Sequence, residues 1–186
     1  MPDKHRLGTI APLVLLMGLV ACDGSGNVTT PSLPPGTASA PVATGGAVPL
    51  SPEVVAALDR TLQDEYHAES IYLGVLADFG DVRPFVNVVH AEQRHSESIA
   101  RLYGNRGLDA PGSVWTVANV PHFGSPEEAC AAAVAAELDN VALYDAYLAL
   151  DLPRDVRNVF GNNRAASLER HLPAFQTCSC PTCPAS

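Results

Sequence analysis

The sequence predicts an all-α protein whose domain is a four-helix bundle. Between residues 51 and 177, apolar side chains recur at alternating steps of three and four, the spacing of one helix face. No segment in this range alternates apolar and polar residues as a half-buried strand does. The connection over residues 104–124 lacks helical periodicity and is long enough to cross the length of a bundle. These features favour four helices joined by one long crossover.

The first two helices are bounded by glycines. The first is predicted over residues 51–79, where an N-cap serine and a proline precede the periodic run and Gly80 follows it. The second is predicted over residues 83–103 and ends before Gly104.

The last two helices follow the long connection. Ser-Pro-Glu-Glu opens the third, predicted over residues 125–150, with an N-cap serine, a proline in the first turn and a capping-box glutamate. The fourth is predicted over residues 153–177, and its Gly161 and Pro173 are positions where it can bend.

The core stripes of these helices carry charged side chains where leucine is expected. A buried carboxylate without a partner is costly, and several together repel one another, so the arrangement requires protons, arginines or metal cations. In Glu92-x-x-His95, an oxygen and a nitrogen stand one turn apart on the same face and can bind one ion. This spacing favours a metal. The candidate metal-binding residues on these stripes are Glu65, Glu92, His95 and Glu137, and His171 is a further position that can face inward.

Four sequence blocks resemble one protein family. They are Asp64-Glu65, the Ala-Glu-Gln-Arg-His run at 91–95, Glu137-Leu138-Asp139 and the Arg-His-Leu-Pro-Ala-Phe run at 170–175. In this order they resemble the rubrerythrin-related ferritin-like superfamily, and more narrowly a bacterial ferritin-like domain family of unassigned function with many exported members. The resemblance covers residues 51–177.

The resemblance implies a carboxylate-bridged di-iron or related di-metal site. The five residues above match ligand-bearing positions of that pattern, so the expected cofactor is iron or another divalent transition metal, as one or two ions. A di-metal oxidoreductase is the enzyme class it implies. One departure keeps a second function open: Leu168 stands where a second Glu-x-x-His motif would place its glutamate before His171. The alternative is a metal-free or degenerate bundle that acts as a structural or interaction lipoprotein.

The N-terminal region reads as an export signal and a tether. The apolar run over residues 7–21 is shorter than the roughly 20 residues of a transmembrane helix, so residues 1–21 are predicted to be a signal peptide. It ends in Leu-Val-Ala-Cys, which resembles a bacterial lipobox with Cys22 as the lipidated residue. An ordinary signal peptide with a passenger cysteine is the alternative. Residues 22–50, rich in Gly, Ser, Thr and Pro, are predicted to be a disordered tether.

The remaining cysteines are predicted to form disulfides. Helices three and four should be antiparallel neighbours, and Cys130 and Cys178 stand at comparable distances before and after the turn that joins them. We therefore predict a disulfide between these two residues. Residues 178–186 form a cysteine-rich tail, for which a soft-metal clamp of Cys178, Cys180 and Cys183 is the alternative.

Composition sets limits on partners and location. The chain has 186 residues, 11 Lys and Arg against 20 Asp and Glu, and a net charge of −9. One domain with extensions fits this length, and the charge argues against a nucleic-acid partner. The lipid on Cys22 would make the membrane the partner and place the domain in the bacterial cell envelope, outside the cytoplasm. A homodimer is left open.

Overall fold

A computed structural model describes residues 49–180 of the protein. The predicted signal peptide, Cys22, nearly all of the tether and Cys183 lie outside the described residues. Within them the chain is all-helical with no strand, which confirms the predicted all-α, four-helix architecture. None of the helices in this part of the chain is both long and apolar enough to cross a membrane.

Five α-helical segments form the bundle, and the last two stack end to end as its fourth helix. A 3₁₀ turn at Val117–Asn119 interrupts the crossover. The α-helices are α1 (Pro52–Phe79), α2 (Phe85–Gly104), α3 (Pro126–Leu148), α4 (Arg154–Ala166) and α5 (Leu172–Ser179).

The predicted N-caps of α1 and α3 are present. The Ser51 hydroxyl accepts a hydrogen bond from the Val54 N–H at 3.3 Å, and Ser125 accepts one from the Glu128 N–H at 3.2 Å. Each cap satisfies a backbone donor that the first helical turn leaves unpaired. Gly80, which ends α1, has a φ of 78°, a conformation that glycine adopts without steric cost.

The fourth helix contains a wide turn that the sequence does not predict. Ser167–His171 is π-helical, and the Leu172 N–H donates to the Ser167 carbonyl. Pro173 has no N–H, so the regular ladder cannot continue through this position, and the wide turn lies just before it. His171 is the last residue of this turn.

The crossover runs along α1. The Gln63 side chain donates to the Gly112 carbonyl at 2.9 Å, and further along the helix Asp78 lies 2.6 Å from His122. The segment over residues 105–125 therefore passes from the middle of α1 to its C-terminal end. As a result α3 begins beside the end of α1 and runs antiparallel to it.

The core consists of two apolar clusters with a polar layer between them. The first cluster surrounds Leu62 and Ile99, and the second surrounds Tyr72 and Phe175. The buried charged side chains of α1, α2 and α3 lie between the two clusters along these helices. The polar layer is thus closed at both ends by packed hydrocarbon, which lowers the local dielectric.

The predicted disulfide is present. Cys130 and Cys178 are bonded, with their Cα atoms 5.8 Å apart, and join the first turn region of α3 to the end of α5. Cys180 is disulfide-bonded as well. Because Cys178 is not a free thiolate, it is not available to the soft-metal clamp considered above.

Candidate metal centre

The structure brings the five predicted metal-binding side chains together in the core. They come from α1, α2, α3 and the π-helical turn, and their exposed fractions lie between 0 and 8%. Buried charged groups at this density are rare unless they are paired or bind metal. The cluster consists of Glu65, Glu92, His95, Glu137 and His171.

Glu92 occupies the centre of the cluster. Its Oε2 lies 2.9 Å from Nδ1 of His95, and its Oε1 lies 3.0 Å from Nδ1 of His171. The two imidazole rings are stacked, with centroids 5.3 Å apart. One carboxylate therefore faces two histidines from different helices, one with each oxygen.

The outer carboxylates each approach one histidine. Glu65 Oε2 lies 3.3 Å from Nδ1 of His95, and Glu137 Oε2 lies 3.5 Å from Nδ1 of His171. The cluster is therefore close to symmetric, with a glutamate and a histidine on each side of Glu92. Ligand atoms of Glu92, His95 and His171 all lie within 4.8 Å of one another, close enough to hold one ion.

Two atoms of the cluster lack a hydrogen bond although they are buried. Glu92 Oε1 and His171 Nδ1 are 3.0 Å apart, yet neither has a hydrogen-bond partner. Their approach has the distance of a hydrogen bond without its geometry. A cation at this position would satisfy both atoms, and oxygen and imidazole donors suit divalent transition metals. The residues present fit a metal ion.

The charged groups of the cluster shift one another's pKa values. Burial raises the pKa of Glu65 to about 7, against the opposing effect of its hydrogen bond to His95. Burial also acts to raise the pKa of Glu92, but the close approach of the His171 and His95 imidazoles outweighs burial and lowers this pKa. Glu92 is therefore held in its charged form more firmly than Glu65.

The histidines balance the carboxylates. Burial lowers the pKa of His95, but Glu65 and Glu92 outweigh burial and raise it to about 10. For His171, burial is likewise outweighed by Glu137 and Glu92, which raise the pKa to about 9. Protons on these rings offset the carboxylate charge, and a metal cation would perform the same task in their place.

Two tyrosines hold the outer carboxylates. The Tyr72 hydroxyl donates to Glu137 Oε1 at 2.8 Å, and the Tyr144 hydroxyl donates to Glu65 Oε1. Burial raises the pKa of both tyrosines well above the ordinary value, so both remain hydrogen-bond donors. Each carboxylate keeps its other oxygen directed at a histidine.

Sequence reasoning missed the role of these tyrosines, although a signal was present. Glu65 and Tyr72 are seven residues apart on α1, and Glu137 and Tyr144 are seven apart on α3. Because the two helices are antiparallel, the tyrosine of each reaches the glutamate of the other. The repeated Glu-x₆-Tyr spacing on inward faces indicates this arrangement.

Neutral amides and a serine complete the surroundings. Asn163 donates to the Tyr144 hydroxyl at 3.1 Å. Asn140 donates to Asp64 at 3.0 Å and accepts from Ser167 at 2.9 Å. The Asn163 bond positions the hydroxyl that donates to Glu65, and the bonds of Asn140 link α1, α3 and the π-helical turn.

Two cavities reach the cluster, one at its carboxylates and the other at its histidines. The first has a volume of about 280 Å³, lies between α1 and α3 and reaches Tyr72, Glu92 and Glu137. The second has a volume of about 360 Å³, lies between α2 and the fourth helix and reaches His95 and His171. The carboxylates and the imidazoles are thus approached separately.

The fold and the cluster define a class of protein: a four-helix bundle with a buried glutamate–histidine cluster that could hold a metal ion. No family model matches the chain, and no curated protein matches it. Two solved structures are similar to it, and at this level of identity they show the fold alone.

The first of these structures is the hypothetical protein MJ0754 from Methanococcus jannaschii. It is 18% identical with a TM-score of 0.63, and the match covers 71% of this chain and 82% of that one. The second is the conserved hypothetical protein rv2844 from Mycobacterium tuberculosis, at 17% identity and a TM-score of 0.58, with 71% of this chain and 93% of that one covered.

Proposed function

We propose that the protein is a metal-binding four-helix bundle that holds one or two divalent transition-metal ions, iron first among them. The ligands are Glu65, Glu92, His95, Glu137 and His171. The observation that carries the proposal is the position of Glu92, whose two oxygens each face a histidine nitrogen, one of these pairs being buried without a hydrogen bond.

The topology supports a ferritin-like assignment. A bundle with one long crossover is characteristic of ferritin-like folds, and their metal sites are built from glutamates and histidines on facing helices. The near-symmetric placement of Glu65 and Glu137 on either side of Glu92 fits two ions that share the central carboxylate.

Iron bound here would supply one-electron chemistry between its ferrous and ferric states, so the protein is an oxidoreductase or handles the metal itself. The chain's own residues do the rest. Tyr72 and Tyr144 orient the outer carboxylates, and the apolar clusters exclude water from above and below. Outer-sphere bonds of this kind tune both affinity and reactivity.

The first cavity supports a route for the cation. Asp64 and Asp139 line it together with the exposed Ala136, and it reaches Glu92 and Glu137. Carboxylates along such a path raise the local concentration of cations. Small side chains leave the path open.

We further propose that lipid on Cys22 anchors the protein in the bacterial cell envelope with the bundle outside the cytoplasm. The lipobox-like sequence before Cys22 supports this, and so does the Cys130–Cys178 disulfide, because disulfides persist in oxidising compartments. Mass spectrometry of the membrane fraction should detect acyl chains on the wild type. A soluble, unacylated wild-type protein would contradict the anchor.

Metal analysis tests the central proposal. Wild-type protein loaded anaerobically with ferrous iron should retain at least one ion per chain after desalting. The Glu92→Ala/His95→Ala variant should lose it, and Glu92→Gln, which preserves volume, provides a second variant if the first fails to fold. The matched control is His90→Ala/Glu97→Ala, which removes the same residue types from exposed positions of α2.

A retained content below about 0.2 ion per loaded wild-type chain would refute the proposal. It would favour the metal-free structural bundle instead. That alternative also requires chelators to leave the melting temperature unchanged.

A further inference from the structure

We propose that the second cavity is a binding site for a small oxyanion of phosphate size, held between Arg94 and Arg170. The cavity lies between α2 and the fourth helix, on the histidine side of the cluster. Nothing in the proposed metal site requires these two arginines.

The second cavity has apolar side walls and polar side chains at its inner end. Its walls include the apolar side chains Val88, Ala91 and Ala174, which leave a volume of about 360 Å³. His95 and His171 form part of its inner surface, and Asn87 contributes an amide at an exposed position. A small anion fits this volume with room for water.

The charge of the cavity is opposite to that of the chain. The protein carries a net charge of −9, yet no carboxylate lines this cavity, whereas Arg94 and Arg170 both do. Two other arginines of the same helices form ion pairs, Arg101 with Glu97 and Arg164 with Asp145, whereas Arg157 donates to the carbonyls of Leu148 and Leu150.

Within residues 49–180, neither cavity arginine forms an ion pair. An arginine pair of this kind, facing one space, concentrates positive potential there. The guanidinium fork matches the oxygens of a carboxylate or phosphate in a bidentate manner.

The cluster sets the backbone positions of the two arginines, whose side chains are exposed. Arg94 directly precedes His95, and Arg170 directly precedes His171. The His95 and His171 rings stack with their centroids 5.3 Å apart, so residues 94–95 and residues 170–171 lie at the same level of the bundle. The pair is placed by the core and does not depend on a mobile loop.

The histidines offer a further contact. In both, Nδ1 faces the carboxylates, and within the described residues neither Nε2 takes part in a hydrogen bond. A histidine that binds metal normally donates its second N–H to an acceptor. An oxyanion in the cavity would be that acceptor. This step rests on the proposed metal function, whereas the arginine site does not.

Calorimetric titration of metal-free protein with inorganic phosphate tests the site, with sodium chloride at matched ionic strength as the reference. We expect one phosphate per chain, and a loss of at least about tenfold in affinity for Arg94→Gln/Arg170→Gln. The control, Arg101→Gln/Arg154→Gln, makes the same charge change on the same helices away from the cavity and should keep wild-type affinity.

Equal loss in both double variants, or equal binding in the wild type and in Arg94→Gln/Arg170→Gln, would overturn the proposal. So would binding that chloride abolishes in parallel, since that is the result for an adventitious ion only. Circular dichroism checks that the variants fold. Because the titration uses metal-free protein, its failure leaves the iron content of the loaded protein, and thus the proposed function, unaffected.

Nitrogen NMR of the histidines gives an independent readout. In the protein loaded with diamagnetic zinc, phosphate should shift the Nε2 resonances of His95 and His171 and leave exposed His90 unchanged. Unshifted cluster resonances at saturating phosphate would overturn the histidine contact.

Discussion

The Tyr72 hydroxyl donates a 2.8 Å hydrogen bond to Glu137 across the interface between α1 and α3. The Tyr144 hydroxyl makes the reciprocal bond to Glu65. Two helices that run in opposite directions thus exchange the same interaction, and the glutamate–histidine cluster lies between the two bonds. The tyrosines set which oxygen of each outer glutamate faces the histidines.

Replacing Tyr72 by phenylalanine should weaken metal binding by about tenfold, because the partners of metal ligands typically contribute a factor of 10–100 in affinity. In the metal-free protein the same change should cost about 1.5–3 kcal/mol, since it removes a bond to a buried charged group. Cobalt titration and urea unfolding measure the two effects. Tyr147→Phe is the control, because Tyr147 also lies on α3 but packs against Phe160 of α4, away from the cluster carboxylates. Wild-type values for Tyr72→Phe would contradict this account.

Metal should stabilise the fold through Glu92. An ion that binds only the folded state adds about 2.7 kcal/mol when its concentration is 100 times Kd. Thermal unfolding of the wild type should therefore shift upward on addition of ferrous iron under anaerobic conditions. Glu92→Gln should lose most of the shift, while Glu97→Gln, at an exposed position of α2, should keep it. An identical shift in both variants would place the binding elsewhere.

The sequence was sufficient to predict the bundle and the convergence of five polar side chains. Helical periodicity places Glu65 and Glu92 on inward faces. Side chains on the inward faces of different helices come together in the core of the bundle. Metal binding itself remains a prediction. Leu168 stands three residues before His171, where a second Glu-x-x-His motif would have its glutamate, so the sequence lacks the motif that would have made this prediction more specific.

The contacts between helices could not be predicted in the same way. Tyr144 reaches Glu65 only because α1 and α3 pack in one particular register, which depends on the whole crossover. Apart from Pro173, no residue near His171 indicates in the sequence that the helix forms a π-helical turn at this position. The two cavities depend on residues from several helices at once, and no single segment indicates them.

The disulfide should contribute strongly to stability. It closes a loop between residues 48 apart in sequence, for which restriction of the unfolded chain predicts about 4 kcal/mol. Urea unfolding of Cys130→Ala/Cys178→Ala should show a loss of this order, with part of it due to the smaller core residue at the buried position 130. A reductant should lower the stability of the wild type more than that of the variant. Equal stability of wild type and variant would contradict the expectation.

An ion pair at the other end of the bundle should make stability depend on pH. Arg106, whose side chain is 4% exposed, forms two hydrogen bonds to Asp155 at 2.9 and 3.1 Å, and these lower the pKa of Asp155. A carboxyl whose folded pKa lies below its unfolded value stabilises above the unfolded value, near 3.9. This contribution is lost as the pH falls through the folded pKa.

At pH 7, Asp155→Asn should therefore be less stable than the wild type by about 1 kcal/mol, a modest figure because Asp155 is partly exposed. The difference should shrink as the pH falls below 4 and Asp155 becomes protonated in both states. Urea midpoints across this range measure it, with Asp151→Asn as an exposed control. A difference that grows on acidification has the wrong sign.

Entry of the cation should depend on the small side chains beside the first cavity. Ala136 lines this cavity at an exposed position of α3, one residue before Glu137, so a larger side chain can cover the opening without displacing the core. Ala136→Leu should slow cobalt uptake in stopped-flow absorption by about tenfold while the equilibrium affinity stays the same, because the ligands are untouched. Ala135→Leu makes the same change at an exposed position of α3 outside the cavity lining and should load at the wild-type rate. If Ala136→Leu loads as fast as Ala135→Leu, the cation reaches Glu92 by another path, and the histidine-side cavity becomes the next route to block.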